Sequence, residues 1–194
     1  MIDEKLLGAA KNLVKVVKLM DQTVDDNAPK NIAKIIKFNS KGAAVAALSS
    51  GWIPGAGGAI AITISAGFIW KMYLNINQEI NVPIAKNVLK SLASGVATNL
   101  ASFALGSLVL STAFSLFPGL GSAGAAVLIA STCYGLTLAS GFVYLKMMTK
   151  IFKSGNNPSS YKESELKNVA KDVTNRKEVT RLIKDAKKSY KKEN

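Results

Sequence analysis

Histidine is absent from this chain of 194 residues, and cysteine occurs once, at Cys133. Without imidazole the chain lacks the usual proton shuttle near neutral pH and the commonest metal ligand. One thiol closes no intramolecular disulfide and is poor material for a metal site. Glu79 is the lone carboxylate between residues 43 and 149, so no carboxylate pair for acid–base work can assemble there. No catalytic residue, metal or cofactor is therefore expected. Cys133 lies in an apolar segment with no basic neighbour in sequence to lower its pKa, and its expected role is packing. The opening Met1-Ile2-Asp3-Glu4-Lys5 is acidic where a secretory signal would be basic, so any insertion signal should be internal.

Charge is missing over a long stretch. The 55 residues between Lys90 and Lys146 carry none, far more than the ~20 needed to cross a hydrocarbon core. Phe117-Pro118-Gly119-Leu120-Gly121 divides this run into two arms of 27 residues, 91–117 and 119–145. A second uncharged run, Gly42 to Trp70, is interrupted by Trp52-Ile53-Pro54-Gly55-Ala56-Gly57. Both interruptions read apolar-apolar-Pro-Gly-x-Gly, and their exits match as Gly67-Phe68-Ile69-Trp70-Lys71-Met72 and Gly141-Phe142-Val143-Tyr144-Leu145-Lys146-Met147. This predicts an all-α fold with a duplicated helical hairpin. Proline disfavours helix in the residue before it, and glycine accepts positive φ and close backbone approach. Pro54, Gly55, Gly57, Pro118, Gly119 and Gly121 are thus the expected hairpin turns. Neither turn has the Lys-Ser/Thr of a nucleotide-phosphate loop. The first hairpin is short: Gly42 to Ile53 gives about 18 Å of helix, so it either borrows the basic helix before it or is re-entrant.

Three regions follow: 1–41 with amphipathic basic helices, 42–150 with the apolar double hairpin, and 151–194 with a linker and basic amphipathic helices. At the start, Leu6, Ala10, Leu13, Val17 and Met20 recur at helical steps beside a stripe of Lys11, Lys15 and Lys18. A second short helix sets Ile32, Ile35 and Ile36 opposite Lys30, Lys34, Lys37 and Lys41. Residues 150–194 hold thirteen of the 25 basic residues. There Ser160 with Glu163, and Asn175 with Glu178, have the spacing of helix starts. The overall charge of +13 flanks apolar segments and lacks the signatures of nucleic-acid modules, so an anionic membrane surface is the expected partner rather than nucleic acid. Lys11, Lys15, Lys18, Lys187, Lys188, Lys191 and Lys192 are the candidate contacts to lipid or to a protein partner.

No hairpin tip carries a lysine or arginine. The positive-inside rule then places both termini and the 71–90 connection on the cytoplasmic side, with both tips pointing into or across the bilayer. Within the arms, Gly95, Thr98, Ser102 and Gly106 fall on one face, and Ser131, Gly135 and Ala139 form a four-residue ladder. Such small faces suit close helix packing, including between copies of the chain. The same faces would suit a soluble bundle. Asn99 should need an internal partner.

Trp52-Ile53-Pro54-Gly55, Lys71-Met72-Tyr73 and Leu116-Phe117-Pro118-Gly119-Leu120-Gly121-Ser122, within about Ala43 to Lys150, resemble a bacterial family known as domain-of-unknown-function family 697. The resemblance implies a helical module associated with the bacterial inner membrane and serving a small GTPase, here encoded separately because no GTPase domain is present. Around Gln78-Glu79-Ile80-Asn81 the chain departs from the Tyr-Gly of that pattern. Three functions are open: a membrane protein recruiting a cytoplasmic partner, a conditionally inserting membrane-disrupting effector, and a soluble interaction bundle.

Overall fold

The computed structural model describes residues 30–50, 57–104 and 120–193. The expected N-terminal helix with Lys11, Lys15 and Lys18, the turn residues Pro54, Gly55, Pro118 and Gly119, and Gly106 lie outside the described residues. Among the described residues there are six α-helices, one 3₁₀ turn and no strand: α1 (Lys30–Ser50), α2 (Gly57–Glu79), α3 (Lys86–Phe103), α4 (Leu120–Lys153), the 3₁₀ turn Pro158–Ser160, α5 (Glu163–Val173) and α6 (Arg176–Glu193). Gly57 is the first residue of α2 and Gly121 the second of α4.

The basic stretch before Gly42 and the apolar stretch after it form one helix. Helix α1 runs unbroken through Lys41 and Gly42, because nothing between Lys30 and Ser50 breaks it. Ile32, Ile36, Ala43, Ala44 and Ala47 make its buried stripe, with Ile35 half-buried beside it. Its 21 residues nearly match the 23 of α2. The two run antiparallel. Asn31 donates to Glu79 at one end, and at mid-length a β-carbon on Gly42 would meet the Phe68 ring at 2.5 Å.

Two Schellman motifs close α2 and α4. After α2, Val82 N–H bonds Asn77 O and Asn81 N–H bonds Gln78 O, with Asn81 at φ 54°. After α4, Asn156 N–H bonds Ile151 O and Gly155 N–H bonds Phe152 O, with Gly155 at φ 75°. Residues of these types tolerate the left-handed backbone that the motif requires. The start of α5 corrects the sequence reading. Ser160 is taken into the 3₁₀ turn opened by Pro158, and it is Glu165 that reaches back to the Lys162 N–H. The other predicted cap is present: Asn175 Oδ1 accepts from the backbone of Lys177 and Glu178.

Helix α4 is the axis of the bundle and packs against all five other helices, most extensively α1, α2 and α6. Every residue from Ile129 to Leu145 is buried. A helix apolar all round is stable only when covered all round, and the covering helices are amphipathic. Helix α6 buries Val179, Ile183, Ala186 and Tyr190, at steps of four, three and four, while Lys177, Arg181, Lys184, Asp185 and Lys188 face outward. Helix α5 buries Leu166 and Ala170.

Candidate functional site

One helix among the described residues, α4 over Ala126–Lys153, is long and apolar enough to cross a membrane. It is also the covered one, with 83% of its most apolar window buried inside the bundle. How it is covered defines the site.

On the α2 side the contact is polar and specific. The Tyr73 and Tyr144 rings stack with centroids 4.0 Å apart and planes 17° from parallel. Tyr144 donates to Asn77 Oδ1 at 2.7 Å, Tyr73 donates to Ser140 O at 3.2 Å, and the Cys133 thiol points at Ala61 O, 3.6 Å away. These pairings increase together along both chains, so α2 and α4 run parallel. On the α1 side, a β-carbon on Gly141 would meet three Ile36 carbons at 3.1 Å. On the α6 side, a β-carbon on Gly135 would meet Ile183 O at 3.1 Å and Ile183 Cγ2 at 3.2 Å. Beyond it Tyr134 and Tyr190 lie 5.3 Å apart. Buried hydroxyls of α4 turn back onto its own carbonyls, Ser131 and Thr132 to Leu128 and Ser140 to Thr137. This is the usual way a polar side chain is tolerated in an apolar helix.

Charge is segregated along α1 to α4. Their lysines, at 30, 34, 37, 41, 71, 86, 90, 146, 150 and 153, occupy the end where α1 begins and α2 ends. The other end, with Gly42–Ser50, Gly57–Trp70, Ser91–Phe103 and Leu120–Leu145, holds no charged residue. Helix α6 breaks this segregation. It carries its charged face alongside the uncharged part of α4, with the Lys187 stem against Gly135.

The residues singled out from the sequence separate accordingly. Ser131, Gly135 and Ala139 are buried, and Gly135 packs against the basic C-terminal helix rather than a hairpin arm. The face of Gly95, Thr98 and Ser102 is exposed and is not the packing face of α3. That face is Leu89, Leu92, Ala93, Val96, Ala97, Leu100 and Ala101. Only Lys167 Cε comes near Gly95, 3.6 Å from a β-carbon placed there. Asn99, expected to need an internal partner, is exposed too. Lys188 is exposed and Lys187 half-buried, while Lys191 and Lys192 belong to the last turn of α6.

Sequence reading missed the outer stripe of α1. Lys34, Phe38, Lys41, Val45 and Leu48 recur at steps of four, three, four and three and are all exposed, Phe38 at 67% and Val45 at 64%. The helical period was the signal, hidden because Phe38 lies among lysines and Val45 among alanines. Lysine stems beside exposed apolar side chains suit a lipid interface. Among the described residues no group of three or more His, Cys, Asp or Glu could hold a metal.

No family model matches the chain, and no curated protein or solved structure matches it. The likeness to domain-of-unknown-function family 697 therefore rests on its motif residues alone.

Proposed function

We propose that this is a non-enzymatic, membrane-active helical protein that stores a membrane-length helix inside amphipathic helices and releases it onto an anionic bilayer. The observation that supports this reading is α4 itself: long enough to span, buried from Ile129 to Leu145, and flanked at Gly135 by a helix whose other face is charged. Lysines opposite the middle of an apolar helix are costly in hydrocarbon, so α6 must leave its place before the lipid can take it. The exposed Phe38 of α1, among the lysines of the charged end, provides first contact, with Val45 and Leu48 continuing its apolar stripe.

A second reading is a permanent inner-membrane anchor, termini cytoplasmic, recruiting a partner such as the small GTPase that the family resemblance implies. It draws on the lysines gathered at one end of α1 to α4. The two differ in what purified protein does. Stored-helix protein is monodisperse without detergent, then floats with phosphatidylglycerol vesicles and releases their dye. Anchor protein resists alkaline carbonate extraction from cells and needs detergent throughout. Monodisperse protein that neither floats nor releases dye would overturn both and leave a soluble interaction bundle.

A further inference from the structure

At the charged end of the bundle, α4 and α5 border a hollow of about 370 Å³ walled by Lys146, Thr149, Lys150, Lys153 and Val173. The three lysines share a face of α4 because steps of four and three return a helix to the same side. Thr149 is 6% exposed and its hydroxyl has no hydrogen-bond partner among the described residues. Thr137, also buried in α4, shares this state but lies outside the hollow, whereas Thr63, Thr98 and Thr132 donate to the carbonyl four residues back. An unpaired buried hydroxyl is unfavourable, and in this wall it would gain from an acceptor.

Two of the ammonium groups are held by carboxylates from the helices that cover α4. Lys146 Nζ lies 2.6 Å from Glu178 Oε1, in the first turn of α6, and Lys150 Nζ lies 3.4 Å from Asp172 Oδ2, near the end of α5. Lys153 has no carboxylate within salt-bridge distance among the described residues. The Lys150 pair is long and more than half exposed on both sides, a type of contact that is easily exchanged. The negative end of the α4 dipole falls here and opposes an anion, so the lysines in its last turn must supply the attraction. A phosphate group presents several acceptor oxygens around one charged centre, whereas each carboxylate here meets one lysine.

From this geometry we infer that the hollow is a phosphate site, and that a phosphate there competes with Glu178 and Asp172 for the lysines and loosens α5 and α6 from α4. The shared chemistry is that of an anionic phospholipid headgroup or inorganic phosphate. The inference rests on the stored-helix reading and would be its trigger: the charged end meets the headgroups, and the cover lets go.

The test is hydrogen exchange of the α6 amides in the full chain. It is measured in sodium chloride, in inorganic phosphate at equal ionic strength, and with phosphatidylcholine or phosphatidylglycerol vesicles. Exchange should rise by about tenfold with phosphatidylglycerol over the chloride and phosphatidylcholine controls, equivalent to roughly 1.4 kcal/mol of lost docking. A rise in inorganic phosphate as well assigns recognition to the phosphate itself, and a rise with vesicles alone assigns it to the lipid headgroup. K150Q/K153Q should keep its helical circular dichroism and lose the response, while E178Q should raise exchange without any phosphate. No rise in either phosphate source, or an undiminished rise in K150Q/K153Q, would overturn the site. Dye release from the same vesicles separates the two ideas: α6 freed and dye released to the same extent in K150Q/K153Q removes the latch alone, α6 freed without release removes the stored-helix reading alone, and release with α6 still protected removes both.

Discussion

Helices α4 and α6 lie against each other and differ sharply in composition. From Leu120 to Leu145 α4 holds no charge, whereas α6 never runs more than two consecutive positions without one. Alone, the first would aggregate in water. The second would form only weakly, since a short helix without a docked face is marginal. Together each supplies what the other lacks: α4 offers a smooth strip around Gly135, and α6 offers one apolar stripe and a charged back. A membrane-length apolar helix therefore does not by itself say that its solvent is lipid. What covers it decides, and here the cover is a helix that composition alone assigns to the membrane surface.

Crowding the contact should break this pairing most strongly. Gly135→Leu drives a side chain into Ile183 O, a backbone atom that cannot rotate away. The expected loss is about 3 kcal/mol in urea unfolding, at the upper end of overpacking costs, with α6 amides exchanging first. Gly67→Ala is the control within α2. A β-carbon there meets nothing within 4 Å, so alanine should stabilise by roughly 0.5–1 kcal/mol through helix propensity alone. If both variants unfold alike, close packing at Gly135 is not what holds α6.

The α2 side of α4 should respond differently, because it is fixed by hydrogen bonds rather than by a smooth surface. Tyr144→Phe keeps the ring stack on Tyr73 but removes the donor to Asn77, whose Nδ2 has no partner among the described residues. Leaving that buried amide unpaired at both ends should cost about 1–3 kcal/mol, read as a lower urea midpoint at unchanged slope. Tyr73→Phe removes a longer bond to a backbone carbonyl and should cost less. Neither should release α6, and α6 exchange rising ahead of global unfolding would contradict the separation of the two sides.

Local features of this fold were legible because periodicity and capping are local. The Ile32 and Ile36 face of α1, the Leu166 and Ala170 stripe of α5, the Val179, Ile183 and Ala186 stripe of α6, and the Asn175 cap all follow from spacing. Partners were not legible. The ladder of Ser131, Gly135 and Ala139 announces a close contact but not that its occupant lies 48 residues downstream at Ile183. Gly95, Thr98 and Ser102 show the same limit from the other side. Small residues suit water as well as a helix neighbour, and Thr98 and Ser102 satisfy themselves on the carbonyls of Ser94 and Asn99. The stronger signal on α3 was its opposite stripe, headed by Leu89, Leu92 and Leu100. Lysine counts likewise report a charged back without saying whether the apolar front meets lipid or protein.

Charge at the edges of the cover has smaller effects. The Lys146–Glu178 pair is the least exposed of the four described salt bridges, with side chains 22% and 33% exposed. The Lys146 ammonium also sits 4.6 Å from the Phe142 ring centroid. Lys146→Met should therefore cost about 1 kcal/mol, near the top of the range for partly solvated pairs, and raise α6 exchange without disturbing α2. Arg181→Ala removes a pair at 3.7 Å on the open face of α6 and should be nearly silent. Equal effects would mean that burial of the ion pair is irrelevant to docking.

The smallest expected effect compares α5 with α6 in pH. Glu163 accepts from Lys167 and from Ser91 of α3, and these hydrogen bonds, with the nearby Lys167 charge, hold its carboxyl below the ordinary value of 4.5. Its folded pKa thus lies below the unfolded one. The contact's contribution is complete above the unfolded value and is lost as pH falls through the folded value. Acidification below that ordinary value should therefore loosen the Ser91 end of α5, seen as faster amide exchange near Leu166 after correction for the intrinsic pH dependence. The effect is modest because the group lies open to solvent. Glu163→Gln should flatten this response in α5 and leave the amide exchange of α6 as it was. If α5 in Glu163→Gln still loosens with acid as the parent does, the link between α3 and α5 does not run through this carboxylate.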